Sequence, residues 1–448
     1  MSESSGPAKA NAGRLSDDGA WYWDGQQWRP TLSEDGRWRW DGEQWRPAEA
    51  STPPAPSGTL VGSEAALGRR GLETLCVSPD ARRLAWIAPQ GRAATVFLDG
   101  QTLGTYDEIR DGSLAFSPDS RHFTYQGIRS KDQHFVVVDG QESGPYQRSA
   151  NVIFSPDGNH HAYMAKSSGQ WRVIRDGVPG PPFDNMYPPD FYFSRDSAHV
   201  GYLTSRGKQR ILVVDTTERP VDCDQWLTAA LALSGDASRV AVGVSRNKKS
   251  FVLVDAAAQG PYDTLLDAPV TFSPSGEHVA YAVKNGGRAF VVRDGQAQQP
   301  YDSIATSSES IIWSAVGDRL AYVGGRGAQS VTVVDGDEWE PSHGVQKLVF
   351  SPDGRRLAVI EDFGKSSAVV VDRVAGKPYL GIGALVFDST GAHVAYLAMA
   401  TPQTFVLVRD GQELPLDGAL ASPIVFDSNG AIHYIEMRRN SLYRVERS

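Results

Sequence analysis

The chain repeats itself about every forty residues, and no other feature constrains its fold as tightly. The clearest copy is Leu348-Val349-Phe350-Ser351-Pro352-Asp353-Gly354-Arg355-Arg356-Leu357-Ala358-Val359-Ile360, which reads as an apolar strand, a tight turn and a second strand. With the serine as anchor, the pattern recurs at Ser78, Ser117, Ser155, Ser194, Ser234, Ser273 and Ser314, and again with Asp388 and Asp427 in the serine's place. The intervals run from 37 to 41 residues. A fixed period near 40 with all-strand content predicts an all-β fold, a β-propeller of about ten blades with one four-stranded sheet per repeat.

The first repeat shows the expected layout: Leu75–Val77 as strand a, Leu84–Ala88 as b, Thr95–Leu98 as c, and d around Leu103–Ile109. An aspartate ends every complete strand c: Asp99, Asp139, Asp176, Asp215, Asp255, Asp294, Asp335, Asp372 and Asp410. The tenth repeat runs out before its fourth strand, and the same offsets counted back from Ser78 leave an orphan strand near Gly62–Ala66. That segment is expected to complete the last blade, with residues 59–68 as its outer strand, because an open ring would leave two unpaired edges. Two five-bladed rings are the alternative. The lack of a linker around residues 215–234 argues for one ring over 59–448.

Ahead of the ring, residues 1–17 are polar and read as a disordered tail, and 48–58 read as a Pro/Ala/Ser linker. Between them, over 18–47, lie two copies of one motif, Trp21-Tyr22-Trp23-Asp24-Gly25-Gln26-Gln27-Trp28 and Trp38-Arg39-Trp40-Asp41-Gly42-Glu43-Gln44-Trp45. Asp-Gly between alternating aromatics predicts a hairpin, with Trp23 facing Trp28 and Trp40 facing Trp45 across the turn. The indoles are either the core of a tiny fold or a docking surface for a protein or peptide.

Two resemblances follow from these residues. The Trp-x-Trp-Asp-Gly-x-x-Trp tandem resembles short modules attached to many bacterial proteins. The repeat at Phe154–Tyr163, nearly matched at Phe272–Tyr281, resembles the TolB-like, WD40-like propeller repeat over residues 75–448. The second resemblance implies the fold; for function it is weak, because such propellers serve as adaptors, peptidase gates and scaffolds.

The 448 residues carry a net charge of −9 and only two cysteines, Cys76 and Cys223, which rules out a disulfide framework. No apolar run is long enough to span a membrane, and the amino terminus has no secretory pattern, so a cytoplasmic protein is expected. The strand-c aspartates are expected to cap turns through their own backbone rather than hold metal. His122, His160, His199, His278 and His393 share one repeat position, which spreads them round a circle; they read as solvated strand entrances. No catalytic constellation, cofactor motif or metal motif emerges.

One asymmetry stands out. The ten b–c turns, taken as anchor plus 10 to plus 16, hold sixteen cations against Asp132, Glu361 and Asp362, a surplus of +13 that leaves −22 for the rest of the chain. Turns of one kind share one face of a propeller, so that face is expected to be basic, most densely at Arg206, Lys208, Arg210, Arg246, Lys248 and Lys249. The leading expectation is a non-enzymatic interaction scaffold for protein partners, acidic ones in particular, using these cations together with Trp21, Trp23, Trp28, Trp38, Trp40 and Trp45. Beside it stand an enzyme (hydrolase or lyase) with a site in the central channel, and nucleic-acid binding through the basic turns. The apolar strand-a sequences count against the enzyme.

Overall fold

The structure is a computed structural model that describes residues 21–23, 28–30, 38–40, 45–47, 58–307 and 309–447. The chain divides into two compact units, Met1–Gly58 and Thr59–Ser448. In the first, Trp21–Trp23 pairs antiparallel with Trp28–Pro30 and Trp38–Trp40 with Trp45–Pro47, placing Trp23 opposite Trp28 and Trp40 opposite Trp45 along the backbone. The expectations for the 1–17 tail, the linker and the indole contacts lie outside the described residues.

The second unit is a ring of ten antiparallel sheets. Blade three shows the plan: Arg148–Phe154, His161–Ser167, Gln170–Arg175 and Val178–Pro179 pair in order as strands a to d. Successive blades interleave their apolar side chains. Val252 and Val254 of blade five, for example, share a core with Val279, Tyr281 and Val283 of blade six. That contact excludes two five-bladed rings, in which blade five would meet blade one.

Closure runs through the first strand of the unit. Thr59–Ser63 adds to Ser441–Arg447 of blade ten, with Ser63 opposite Ser441 and Thr59 opposite Arg444. Blade ten then packs on blade one, where Leu67, Leu84, Trp86, Ile435 and Leu442 form one buried cluster, and Arg444 Nε donates to the Ala81 carbonyl at 3.1 Å. The outer strand is shorter than expected: Glu64–Glu73 is helical, kinked at Gly68, instead of continuing the strand to 68. The helix carries Leu67 back over the blade, where it is 2% exposed.

The innermost strands also differ from the sequence reading. Strand d of blade one ends at Tyr106, and Glu108–Ile109 already belongs to strand a of blade two, which resumes at Ala115–Phe116. The intervening residues bulge out of the ladder, and a hydroxyl replaces the lost bond. Ser113 Oγ accepts from the Gln126 amide at 3.1 Å, as Thr74 Oγ1 does from Ile87 at 2.9 Å and Ser422 Oγ from Ile435 at 2.7 Å. A bulge interrupts the alternation of apolar and polar residues, which is why only the second half of each strand a was legible.

Between blades, an aromatic side chain of strand d lies over strand b of the next blade. Tyr106 and Tyr301 come so close to Gly127 and Gly324 that a Cβ would stand 2.4 Å from the ring. At the blade seven–eight junction the aromatic position is Ser342, and the residue at the glycine's repeat position is Glu361, 5% exposed. Burial pushes the Glu361 carboxyl up to about 7, above its ordinary 4.5. The folded state therefore holds this proton more tightly than the unfolded chain. Its stabilising effect is complete below about pH 4.5 and is lost as pH rises through about 7. Glu361→Gln is expected to be more stable than wild type by about 2 kcal/mol at pH 8, and close to it at pH 4.5. Urea unfolding at the two pH values checks this; a constant difference between the proteins would refute it.

Candidate interaction face and channel

The antiparallel order of each blade puts the b–c turns and the d-to-a connections on one face. The connections carry aspartates, and these meet the turn cations. Asp263 Oδ1 accepts from Lys249 Nζ at 2.6 Å in blade five, while its Oδ2 accepts from the Gly286 amide at 2.8 Å in the b–c turn of blade six. Asp302 links blades six and seven in the same way, through Arg288 at 2.5 Å and the Gly327 amide at 2.8 Å. Asp224 takes the Asn247 amide at 2.7 Å, and its carbonyl takes Arg210 Nη2 at 3.5 Å. Glutamates of strand d hold a second set of cations. Arg206 binds Glu218 at 2.8 and 3.0 Å, and Arg326 and Arg129 bind Glu338 and Glu142 with the same two-pronged geometry. The bonds from Arg206 hold the Glu218 carboxyl below its ordinary range.

The expected basic face therefore interleaves cations with acids, and Arg129, Arg206, Lys249, Arg288, Arg326 and Arg438 are ion-paired. The +13 surplus counted the turns without the acids that fold against them. Of the six cations singled out, Arg206, Arg210, Arg246 and Lys249 are engaged, Arg246 through Nε to the Asp222 carbonyl at 2.6 Å. Lys208 and Lys248 are exposed and form no ion pair among the described residues. The pairing was present in the sequence as a cation followed fourteen residues later by aspartate: Lys249 and Asp263, Arg288 and Asp302. The six tryptophans lie in the hairpin strands of the other unit. Exposed pairs of this kind contribute little stability each, roughly 0.2–1 kcal/mol.

The opposite face is built on the strand-c aspartates. Each sits near φ 50°, a conformation that aspartate tolerates better than most residues. Its Oδ1 accepts from the first amide of strand b, 2.9–3.0 Å away. Its Oδ2 meets the side chain just before that amide: a histidine, as in His122, His160, His199, His278 and His393 at 2.6–2.8 Å, or an arginine, as in Arg83, Arg239, Arg319 and Arg356 at 2.9–3.0 Å. The aspartates thus tie strand c to strand b rather than cap their own turns, and the histidines are their partners rather than solvated entrances. The arginines reach further, onto the strand-a aromatic of the next blade. Arg319 stacks over Phe350 at 5.5 Å and Arg356 over Phe387 at 5.7 Å. Where the position is histidine, Arg175, Arg293 or Arg409 at the end of strand c covers Phe193, Trp313 or Phe426 instead.

Among the described residues, one grouping brings three possible metal-ligand atoms within 4.8 Å of one another: Glu277, His278 and Asp318. Asp318 already accepts from the Ser275 amide at 3.2 Å, and His278 Nδ1 is bound to Asp294. The group is explained by the turns of blades six and seven, where Ser275 and Val316 stand in place of the usual aspartate.

The channel holds two clefts. One, of about 690 Å³, lies on the inner strands of blades two to four, with Arg110, Ser113 and Phe193 in its wall. The other, of about 910 Å³, runs along blades six to nine beneath Phe272, Trp313, Val349, Leu385 and Phe387. Arg195 of blade four enters the second cleft and donates to the Ala315 carbonyl of blade seven at 3.5 Å, and Lys347 pairs with Glu309 at 3.4 Å.

Ten sheets closed by a strand from the start of the unit define a ten-bladed β-propeller. No protein-family model and no curated protein matches the chain. Solved structures with similarity to it include a eukaryotic initiation factor (11% identity, TM-score 0.45, 81% of this chain and 95% of that one) and the Dos1 propeller (12%, 0.35, 68% and 90%). TolB from Acinetobacter baumannii is another, at 18% identity and TM-score 0.26 over 49% of this chain and 63% of that one. No helix among the described residues is long and apolar enough to cross a membrane.

Proposed function

We propose that the ring is a non-enzymatic interaction scaffold, acting in the cytoplasm, that takes protein partners along the channel cleft of blades six to nine. The observation that carries this reading is the wall of that cleft. It is broad and mainly apolar, with partly buried Trp313, Phe350 and Phe387, and a few charges for orientation: Arg195 and the Lys347–Glu309 pair. Such a surface suits binding by burial of apolar area. Many polar side chains on both faces are committed to contacts within the ring; of the six cations singled out, Lys208 and Lys248 remain as a peripheral, salt-sensitive contact for an acidic partner. Thiols at Cys76 and Cys223, neither in a disulfide, are in keeping with a reducing compartment.

The test compares partner capture by wild type, Arg195→Glu/Lys347→Glu and Lys208→Glu/Lys248→Glu, with duplex DNA as a separate probe. The channel variant is expected to lose its partners while remaining folded, and the turn variant to retain them with weaker binding at low salt. Full retention by a folded channel variant would refute the reading. Selective loss of DNA binding by the turn variant would favour nucleic acid as the ligand.

A further inference from the structure

A slot of about 340 Å³ opens between blades three and four, away from the channel. Val173, Arg175, Val178 and Gly180 of blade three line one side, and Val200 and Tyr202 of blade four the other. It marks a break in the repeat. At five other junctions the strand-d aromatic is a tyrosine, Tyr106, Tyr146, Tyr262, Tyr301 or Tyr379, whose hydroxyl bonds across the interface. Tyr146 meets Tyr163 at 3.0 Å and Tyr262 meets Tyr281 at 3.0 Å, hydroxyl to hydroxyl. Tyr202 holds the repeat position of Tyr163 and Tyr281, but the residue facing it is Phe183, stacked edge-on at 5.2 Å. Phe183 offers the Tyr202 hydroxyl no partner. The residue is 1% exposed, and its oxygen makes no hydrogen bond. A buried hydroxyl without a partner is costly, and any oxygen brought to it recovers that cost. Burial also pushes the phenol up, so it remains a donor at neutral pH.

Gly180 keeps the approach open. Its backbone is not in the left-handed region, so the glycine serves space rather than conformation, and a Cβ there would stand 3.4 Å from the Tyr202 oxygen. The charges at the rim are already used. Arg175 donates to the Ala198 carbonyl at 2.6 Å, Asp176 is bound by His160 at 2.8 Å, and Asp215 by His199 at 2.7 Å. A charged ligand would have to displace one of these bonds. An uncharged one would not.

We infer that this slot binds a small, uncharged, apolar molecule with a single hydrogen-bonding oxygen, seated against Val173, Val178 and Val200 and bonded to the Tyr202 hydroxyl. Its volume lies at the lower end for small-molecule sites, which fits a ring-sized ligand such as a simple phenol. The probes are p-cresol and toluene, near in shape and different by one hydroxyl, titrated onto the full chain by ligand-observed NMR. Wild type is expected to bind p-cresol about tenfold more tightly than toluene, equivalent to about 1.4 kcal/mol. Tyr202→Phe should remove that preference while keeping toluene binding. Gly180→Val should abolish both. Equal affinities for the two probes in wild type, absence of binding by either, or an unchanged preference in Tyr202→Phe would each overturn the assignment. Should Gly180→Val fail to fold, Tyr202→Phe decides alone, since it deletes one atom and leaves the packing in place.

Discussion

Deleting residues 1–70 is expected to lower the melting temperature of the ring by about 5–10 °C, while deleting 1–57 leaves it nearly unchanged. The longer truncation removes Thr59–Ser63, and with it the antiparallel ladder along Ser441–Arg447. It also removes Leu67, which is 2% exposed against Leu442, Ile435 and Trp86. Emptying a buried leucine site costs about 2–5 kcal/mol, and each ladder bond adds roughly 1 kcal/mol. The same cut breaks the Arg70–Asp111 pair that joins the helix to blade two. The freed edge of Ser441–Arg447 is then open to pair with another chain, so the truncated ring should also associate as concentration rises. Thermal unfolding followed by circular dichroism, together with sedimentation, checks both effects. Equal melting of the two truncations would mean that the ring does not depend on this closure.

This closure was legible because it follows from counting: nine complete repeats, a tenth without its last strand, and one orphan at the matching offset. Features that break the repeat were not. Glu64–Glu73 contains Gly68 and Gly71, poor helix residues, so its sequence did not announce a helix; tertiary contacts at Leu67 outweigh that propensity. The strand-a bulges erase alternation at the places where strands a and b part. The candidate site suffered from a different limit. Charge counted along the chain separates Lys249 from Asp263, whereas the fold puts them 2.6 Å apart. A surplus of cations in turns is therefore a statement about segments, and only antiparallel order converts it into a statement about a face. Phe183 shows the opposite case: one substitution in a tyrosine position is conspicuous only once Tyr202 is known to face it.

Arg438 carries the second large effect. It was counted among the turn cations, yet it is 9% exposed, and its Nε donates to Glu436 Oε1 at 3.0 Å where Glu436 is fully buried. Arg438 also reaches Asp417 Oδ2 at 2.9 Å and stacks over Tyr443 at 4.9 Å. Glu436 faces Tyr443 across the last ladder, so the pair sits beside the strand that accepts Thr59–Ser63. Gly418 makes the approach possible: a Cβ there would stand 2.1 Å from the Met437 carbonyl oxygen. Replacing the arginine by methionine preserves much of its length but leaves a buried carboxylate without its cation, a change that costs about 3–5 kcal/mol. Arg438→Met is therefore expected to be strongly destabilised in urea unfolding. The double variant Glu436→Leu/Arg438→Met should recover most of that loss, because a well-packed apolar pair of similar volume is often as stable as the buried ion pair it replaces. Lys208→Met, at an exposed turn residue, should change stability by no more than about 0.5 kcal/mol. If Arg438→Met matched the Lys208 control, the pair would be a surface contact, and the basic-turn count that included Arg438 would stand. If the double variant were no more stable than Arg438→Met, the loss would come from the packing of the guanidinium on Tyr443 rather than from the stranded carboxylate.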